Sequence, residues 1–163
     1  MSFDCNEFKE VADKIQNFNS LPSEGKYRTA IGRYYYFIFL KIRDIIYNID
    51  EREKIRKYYF SGLIHKFIRL YLFNLSKITN DRKLIRVANK LKKLHDLRKK
   101  SDYNVDAKIS INDVEDAEKY VDDILYLLNS VEFQNVKGIE NILKHLKEFG
   151  KEEGDEYKYF PRV

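Results

Sequence analysis

Apolar side chains recur along this chain at steps of three and four, the spacing of one face of an α-helix, rather than at the steps of two that mark a strand. Phe8, Val11, Ile15 and Phe18 predict a first helix within 4–19, ended by Leu21-Pro22-Ser23-Glu24-Gly25. Ile31, Tyr35, Ile38, Phe39, Ile42, Ile45 and Ile46 predict a long helix over about 26–48. Segment 51–77 is interrupted at Ser61-Gly62, after which Leu63, Phe67, Leu70 and Tyr71 resume the helical spacing. Asp81 is the expected N-cap of a helix running through residue 100. That helix has an apolar stripe (Leu84, Val87, Ala88, Leu91, Leu94) and a basic one (Lys83, Arg86, Lys90, Lys93). Residues 101–109 read as a loop, and Ser110 or Asn112 opens the next helix, with Asn112 and Glu115 at capping-box spacing. Val114, Ala117, Val121, Ile124, Leu125 and Leu128 carry it to about 130, and Ile139, Ile142, Leu143 and Leu146 predict a further helix at 136–149.

Helices of this length joined by short connections favour antiparallel neighbours. The expected fold is therefore all-α: an antiparallel up-and-down helical bundle of four to five main helices with an additional C-terminal helix. We expect one domain over 1–150 and a flexible tail over 151–163, where periodicity ends. With 163 residues and 44% apolar content the chain can bury a core, and its two prolines and six glycines suit long helices. The aromatic-rich stretch 31–46 offers more large apolar side chains than one small bundle easily buries, and predicts a homodimer.

Composition excludes several classes of chemistry. A lone cysteine, Cys5, precludes an internal disulfide and a Cys-based zinc site, and suits a reducing cytoplasm. His65, His95 and His145 fall on different predicted elements without a second ligand at metal spacing, so no metal is expected. There is no Gly-x-Ser-x-Gly turn and no Gly-rich phosphate loop, and no cofactor is expected. The N-terminus lacks the basic-then-apolar order of a signal peptide, and the longest apolar run, Tyr34 to Leu40, is too short for a bilayer. These features predict a soluble, cytoplasmic protein. The net charge of +5 conceals a strong asymmetry: residues 26–100 carry 21 Lys/Arg against 6 Asp/Glu, and the remainder 10 against 20. Such segregation fits either a polyanion-binding face or two regions that neutralise each other.

Two clusters stand out. On the long helix lies Gly32-Arg33-Tyr34-Tyr35-Tyr36-Phe37-Ile38-Phe39. A guanidinium within such a run needs a carboxylate, a phosphate or an aromatic face. At the end of the 81–100 helix lies Leu97-Arg98-Lys99-Lys100-Ser101-Asp102-Tyr103, where Arg98 and Asp102 stand at i, i+4 and pair if the helix continues. Read structurally, the first cluster is core and the second a helix terminus tied by an ion pair.

Together the clusters resemble the prokaryotic HEPN family over about residues 25–130. That family carries Ser-Arg-x-Tyr-Tyr-Ala-x-Phe on an early helix and Leu-Arg-x-x-Ala-Asp-Tyr at the end of a later one. Arg33, Tyr35, Tyr36 and Phe39 fill the first pattern, with Gly32 for Ser and Phe37 for Ala. Leu97, Arg98, Asp102 and Tyr103 fill the second, with Ser101 for Ala. The resemblance implies an RNA- or nucleotide-binding bundle that dimerises. It also implies a toxin-like, metal-independent endoribonuclease, one half of a toxin–antitoxin module with a minimal nucleotidyltransferase partner. Catalysis would then rest on Arg98, Asp102 and Tyr103, and RNA or nucleotide binding on Arg33, Lys99 and Lys100. The chain departs from the family in one respect. Active members place a His four to six residues after the Arg, and here Tyr103 stands in that place. Phenols ionise near pH 10 and are poor general bases at neutral pH. The competing expectation is a non-catalytic homodimeric interaction module, and a DNA-binding regulator is disfavoured by the lack of a compact helix-turn-helix signature.

Overall fold

The computed structural model describes residues 3–50, 58 and 62–131. Within them the chain is an all-α helical bundle without strands. Five helices follow one another: α1 (Asn6–Gln16), α2 (Ser23–Ile49), α3 (Ile64–Thr79), α4 (Lys83–Tyr103) and α5 (Ile111–Asn129). The expected helix at 136–149, the tail 151–163, His145 and the Ser61 side of the Ser61-Gly62 break lie outside the described residues. No helix among the described residues is long and apolar enough to cross a membrane.

The described residues pack as two compact units, one drawn from 3–41 and 90–125 and the other from 42–50, 58, 62–89 and 126–131. Helices α2, α4 and α5 each contribute residues to both.

In the first unit α2 is the central helix. Ala30, Ile31, Tyr34, Tyr35, Phe37, Ile38 and Phe39 are all buried, so this stretch is covered around most of its circumference. Tyr34, Tyr35, Phe37 and Phe39 are thus covered within the chain. Buried polar tips find partners: the Tyr34 hydroxyl donates to Asp13 Oδ1 at 2.7 Å and accepts from Gln16 Nε2 at 3.0 Å. Burial, reinforced by the Asp13 carboxylate, pushes the Tyr34 phenol above its usual ionisation range. Successive contacts run in opposite directions along neighbouring helices. Tyr36 and Arg28 of α2 meet Arg98 and Ser101 of α4, while Lys90 and Lys100 of α4 meet Asp123 and Asp113 of α5. These neighbours are antiparallel.

Three local readings are corrected. The α1 stripe is rotated: Ala12 is its buried residue, whereas Val11 and Phe18 are 44% and 56% exposed. Residues 101–103 are helical, since α4 continues to Tyr103. Arg28 supplies the reason, donating to the carbonyls of Ser101 (2.6 Å), Asn104 (3.2 Å) and Ala107 (2.6 Å), so it caps the helix end and the following turn. The capping box sits two residues earlier than Asn112–Glu115. Ser110 and Asp113 form its carboxylate half, with the Ser110 backbone N–H and hydroxyl both donating to Asp113 Oδ2, at 2.9 and 3.0 Å, while the Asp113 N–H donates to the Ser110 carbonyl at 3.2 Å.

The second unit contains α3. Ile64, Phe67, Ile68, Tyr71, Leu72 and Leu75 are buried, Tyr58 stacks on Phe67 (4.9 Å between centroids), and the Tyr71 hydroxyl donates to the buried Asp50 at 3.0 Å. Helix α3 ends at Asn80, whose φ of 53° is left-handed. Asp81 then caps α4 as expected, accepting from the Lys83 N–H at 2.9 Å. The predicted α4 stripe of Leu84, Val87, Ala88, Leu91 and Leu94 is buried throughout.

Candidate functional site

The two sequence clusters meet within the first unit. Arg98 of α4 is 9% exposed, and its Nη2 donates to the hydroxyls of Tyr36 (3.2 Å) and Tyr103 (3.0 Å). Asp102 Oδ2 stands 2.6 Å from Arg98 Nε but off the line of its N–H, so the contact is an ion pair without an aligned hydrogen bond. The rings of Tyr103, Tyr36 and Tyr35 surround the guanidinium at 5.0, 5.3 and 5.8 Å from their centroids. Burial opposes the Arg98 charge, but Tyr36, Asp102 and Tyr103 outweigh it, and the guanidinium is held more firmly protonated than usual. Tyr103 itself is 67% exposed.

Beside this cluster lies a cleft of about 360 Å³ lined by Arg28, Thr29, Gly32, Arg33, Tyr36, Ser101 and Asp102. Its charges are unequal in availability. Arg28 is taken by Glu24 (2.6 Å) and by three carbonyls, and Asp102 by Arg98. The Arg28 hydrogen bond, aided by the Ile109 N–H, outweighs desolvation and holds the Glu24 carboxyl below its usual range. Arg33 stacks its guanidinium 5.0 Å over the Phe8 ring and has no carboxylate partner among the described residues. The cleft therefore carries about one uncompensated positive charge, from Arg33.

Of the other expected binding residues, Lys99 is exposed, whereas Lys100 is paired with Asp113 at 2.7 Å. Desolvation of Asp113 is outweighed by Lys100 and Ser110, which lower its carboxyl below the usual range. Lys90 pairs with Asp123, Lys92 with Asp96 at 2.7 Å, and Lys83 donates to the Ser130 carbonyl. Within the basic stripe on α4, Lys90 is thus paired with an acid of α5 and Lys83 with Asp81 at 3.6 Å. A second cleft, lined by Lys93, Asp96, Leu97, Lys100, Asp116 and Tyr120, has balanced charges and no bias toward anions.

His95 is not isolated. Its ring stacks on Tyr35 at 5.0 Å and 20°. Among the described residues no group of three or more His, Cys, Asp or Glu side chains could hold a metal ion. Sequence reasoning named Arg33, Arg98, Asp102 and Tyr103, and the structure brings these to one cluster and its adjoining cleft. It missed Thr29, and quoted Tyr36 and Ser101 only as parts of patterns. The available signal was helical spacing: Thr29, Gly32, Arg33 and Tyr36 stand at i, i+3, i+4 and i+7, a single face of α2.

Compared with known proteins, the chain is 42% identical over 160 residues to the uncharacterized protein MJ0992 of Methanocaldococcus jannaschii, covering 90% of this chain and 89% of that one. The chain belongs to its family. A second family member, the uncharacterized protein MJ0628 of the same organism, is 31% identical over 148 residues, covering 85% of this chain and 88% of its own. No described family profile matches the chain, and no solved structure does. The family thus extends over the cleft and both clusters around it, and brings no activity with its members' names.

Proposed function

We propose that this chain is a HEPN-type protein that binds RNA, with the Arg98 cluster and its cleft as the contact surface. The observation that carries the reading is the meeting of the two HEPN-like motifs, 62 positions apart, at the Arg98–Tyr36 hydrogen bond. Arg98 holds the exposed Tyr103 ring, on which a splayed base can stack, while Arg33 and Lys99 offer charge to phosphates. Binding without turnover fits these residues best, because the cluster offers phenols where active HEPN ribonucleases use an imidazole. A metal-independent ribonuclease, a homodimer and a minimal nucleotidyltransferase partner belong to the same proposal but draw on the resemblance alone. The competing reading, a homodimeric interaction module, treats Arg98 as a structural anchor, for which its burial speaks.

The test is fluorescence anisotropy with a labelled single-stranded RNA across salt concentrations, run beside a cleavage assay in EDTA. Neutralising about two phosphates gives a log–log slope near −1.4, or roughly 7-fold weaker binding between 50 and 200 mM salt. Binding absent even at low salt refutes the RNA reading and favours the interaction module. RNA cut in EDTA, with the cut abolished by Tyr103→Phe, replaces simple binding with the ribonuclease reading.

A further inference from the structure

The cleft beside Arg98 holds hydrogen-bond donors that the fold does not use. Tyr36 accepts a hydrogen bond from Arg98 Nη2, so its own O–H proton is left to donate elsewhere, and no described residue accepts it. Ser101 lines the same cleft at 2% exposure, and its hydroxyl has no partner among the described residues. Buried polar groups without partners are exceptions in native structures and call for a cause. Arg33 brings the uncompensated charge, its plane fixed by stacking on Phe8 while its N–H edges stay available to an acceptor.

Gly32 adds an independent sign. A glycine in the middle of a helix weakens it relative to alanine, yet packing does not demand one here. A Cβ at this position would meet only Asp102 Oδ1, at an ordinary 3.6 Å. What the absent side chain provides is open space in the wall of the cleft, which Gly32 lines.

We propose that this cleft is a phosphate-binding site, in which Arg33, the Tyr36 hydroxyl and the Ser101 hydroxyl donate to the oxygens of a phosphate group. The proposal rests on the RNA-binding reading and names its central contact. The ligand class follows from the donors. Three donor groups drawn from two helices suit the several oxygens of a tetrahedral anion better than a planar carboxylate. The volume of about 360 Å³ lies in the range of small-ligand sites and has room beyond the phosphate itself. Arg98 is then a positioning residue: it does not line the cleft, and it acts by holding Tyr36 with the hydroxyl proton turned away from the guanidinium. The phosphate can belong to an RNA strand or to a free mononucleotide, and the assay separates the two.

Isothermal titration of the full chain with 5′-AMP, adenosine, inorganic phosphate and a single-stranded oligoribonucleotide supplies the test. AMP is expected to bind at least about tenfold more tightly than adenosine, since hydrogen bonds to a charged group carry that much discrimination. Inorganic phosphate should compete with it. Arg33→Gln should weaken AMP about tenfold or more at an unchanged melting temperature. Ser101→Ala is the decisive variant, because it deletes an unpaired buried hydroxyl: folding should be unharmed or improved while AMP binding falls several-fold. A purely structural role for Ser101 would not produce that opposition. Equal binding of AMP and adenosine, no binding of AMP or phosphate, or wild-type AMP affinity in both variants would each overturn the site. RNA held at full strength by Arg33→Gln would also remove the cleft proposal and leave the RNA reading standing. AMP binding without any RNA binding would do the reverse.

Discussion

Replacing Arg98 by alanine tests how far the cluster is architecture. The side chain is nearly buried, so its loss removes packed aliphatic stem as well as charge, about 1 kcal/mol by area. The hydrogen bond to Tyr36 is made by a charged donor and is worth roughly 1.5–3 kcal/mol. The bond to Tyr103 counts for little, because water replaces it at a 67% exposed residue. Asp102, with its side chain 29% exposed, loses its partner in a partly solvated setting and adds about 0.5–1 kcal/mol. Arg98→Ala should therefore cost about 3–5 kcal/mol. For a chain of 163 residues that corresponds to a melting temperature lower by roughly 6–20 °C. Arg98→Lys should lie between, since an ammonium keeps the charge but not the planar fork. Urea denaturation followed by circular dichroism measures the change, with Lys99→Ala as the exposed control, expected within about 0.5 kcal/mol. An Arg98→Ala variant as stable as that control would refute the reasoning, and would mean that Arg98 is held for a ligand rather than for the fold.

Three further outcomes follow from the same structure. Gly32→Ala should stabilise the protein by about 0.5–1 kcal/mol, because the new methyl meets only ordinary contact, and a lower melting temperature would show that Asp102 cannot accommodate it. Asp113→Asn weakens the capping box and the Lys100 pair and should cost about 1 kcal/mol near neutral pH. Because the Asp113 carboxyl is lowered in the folded state, its contribution is complete above the ordinary value of 3.8 and fades as pH falls through the lower folded one, so wild type and variant should converge in acid. A gap that widened in acid would contradict this. Asn80→Ala places a Cβ residue of poorer left-handed tolerance at φ 53° and should cost about 1 kcal/mol, whereas Asn80→Gly should be neutral or stabilising by thermal melt; the opposite order would reject the cap.

Periodicity by itself determined the helices and the inward faces of the strongest ones. The stripe Leu84, Val87, Ala88, Leu91 and Leu94 is buried as the spacing requires, because a helix with one apolar face has one way to hide it. The same rule failed on α1, where the apolar residues are too sparse to choose a face. Packing against α2 buried Ala12 and left Val11 and Phe18 in solvent. The end of α4 was also a tertiary matter. Residues 101–103 look like loop locally, and they are helical where Arg28, 73 positions earlier, holds the Ser101 carbonyl. The candidate site divides the same way. Motif spacing pointed to Arg33, Arg98, Asp102 and Tyr103, but spacing carries no record of which cations are already paired. Lys100 and Lys90 were neutralised by acids on α5, Arg28 was absorbed into a helix cap, and Arg33 was left with an aromatic face and no carboxylate among the described residues. Which charges remain available to a ligand depends on contacts between residues far apart in sequence, and only the folded chain makes those contacts.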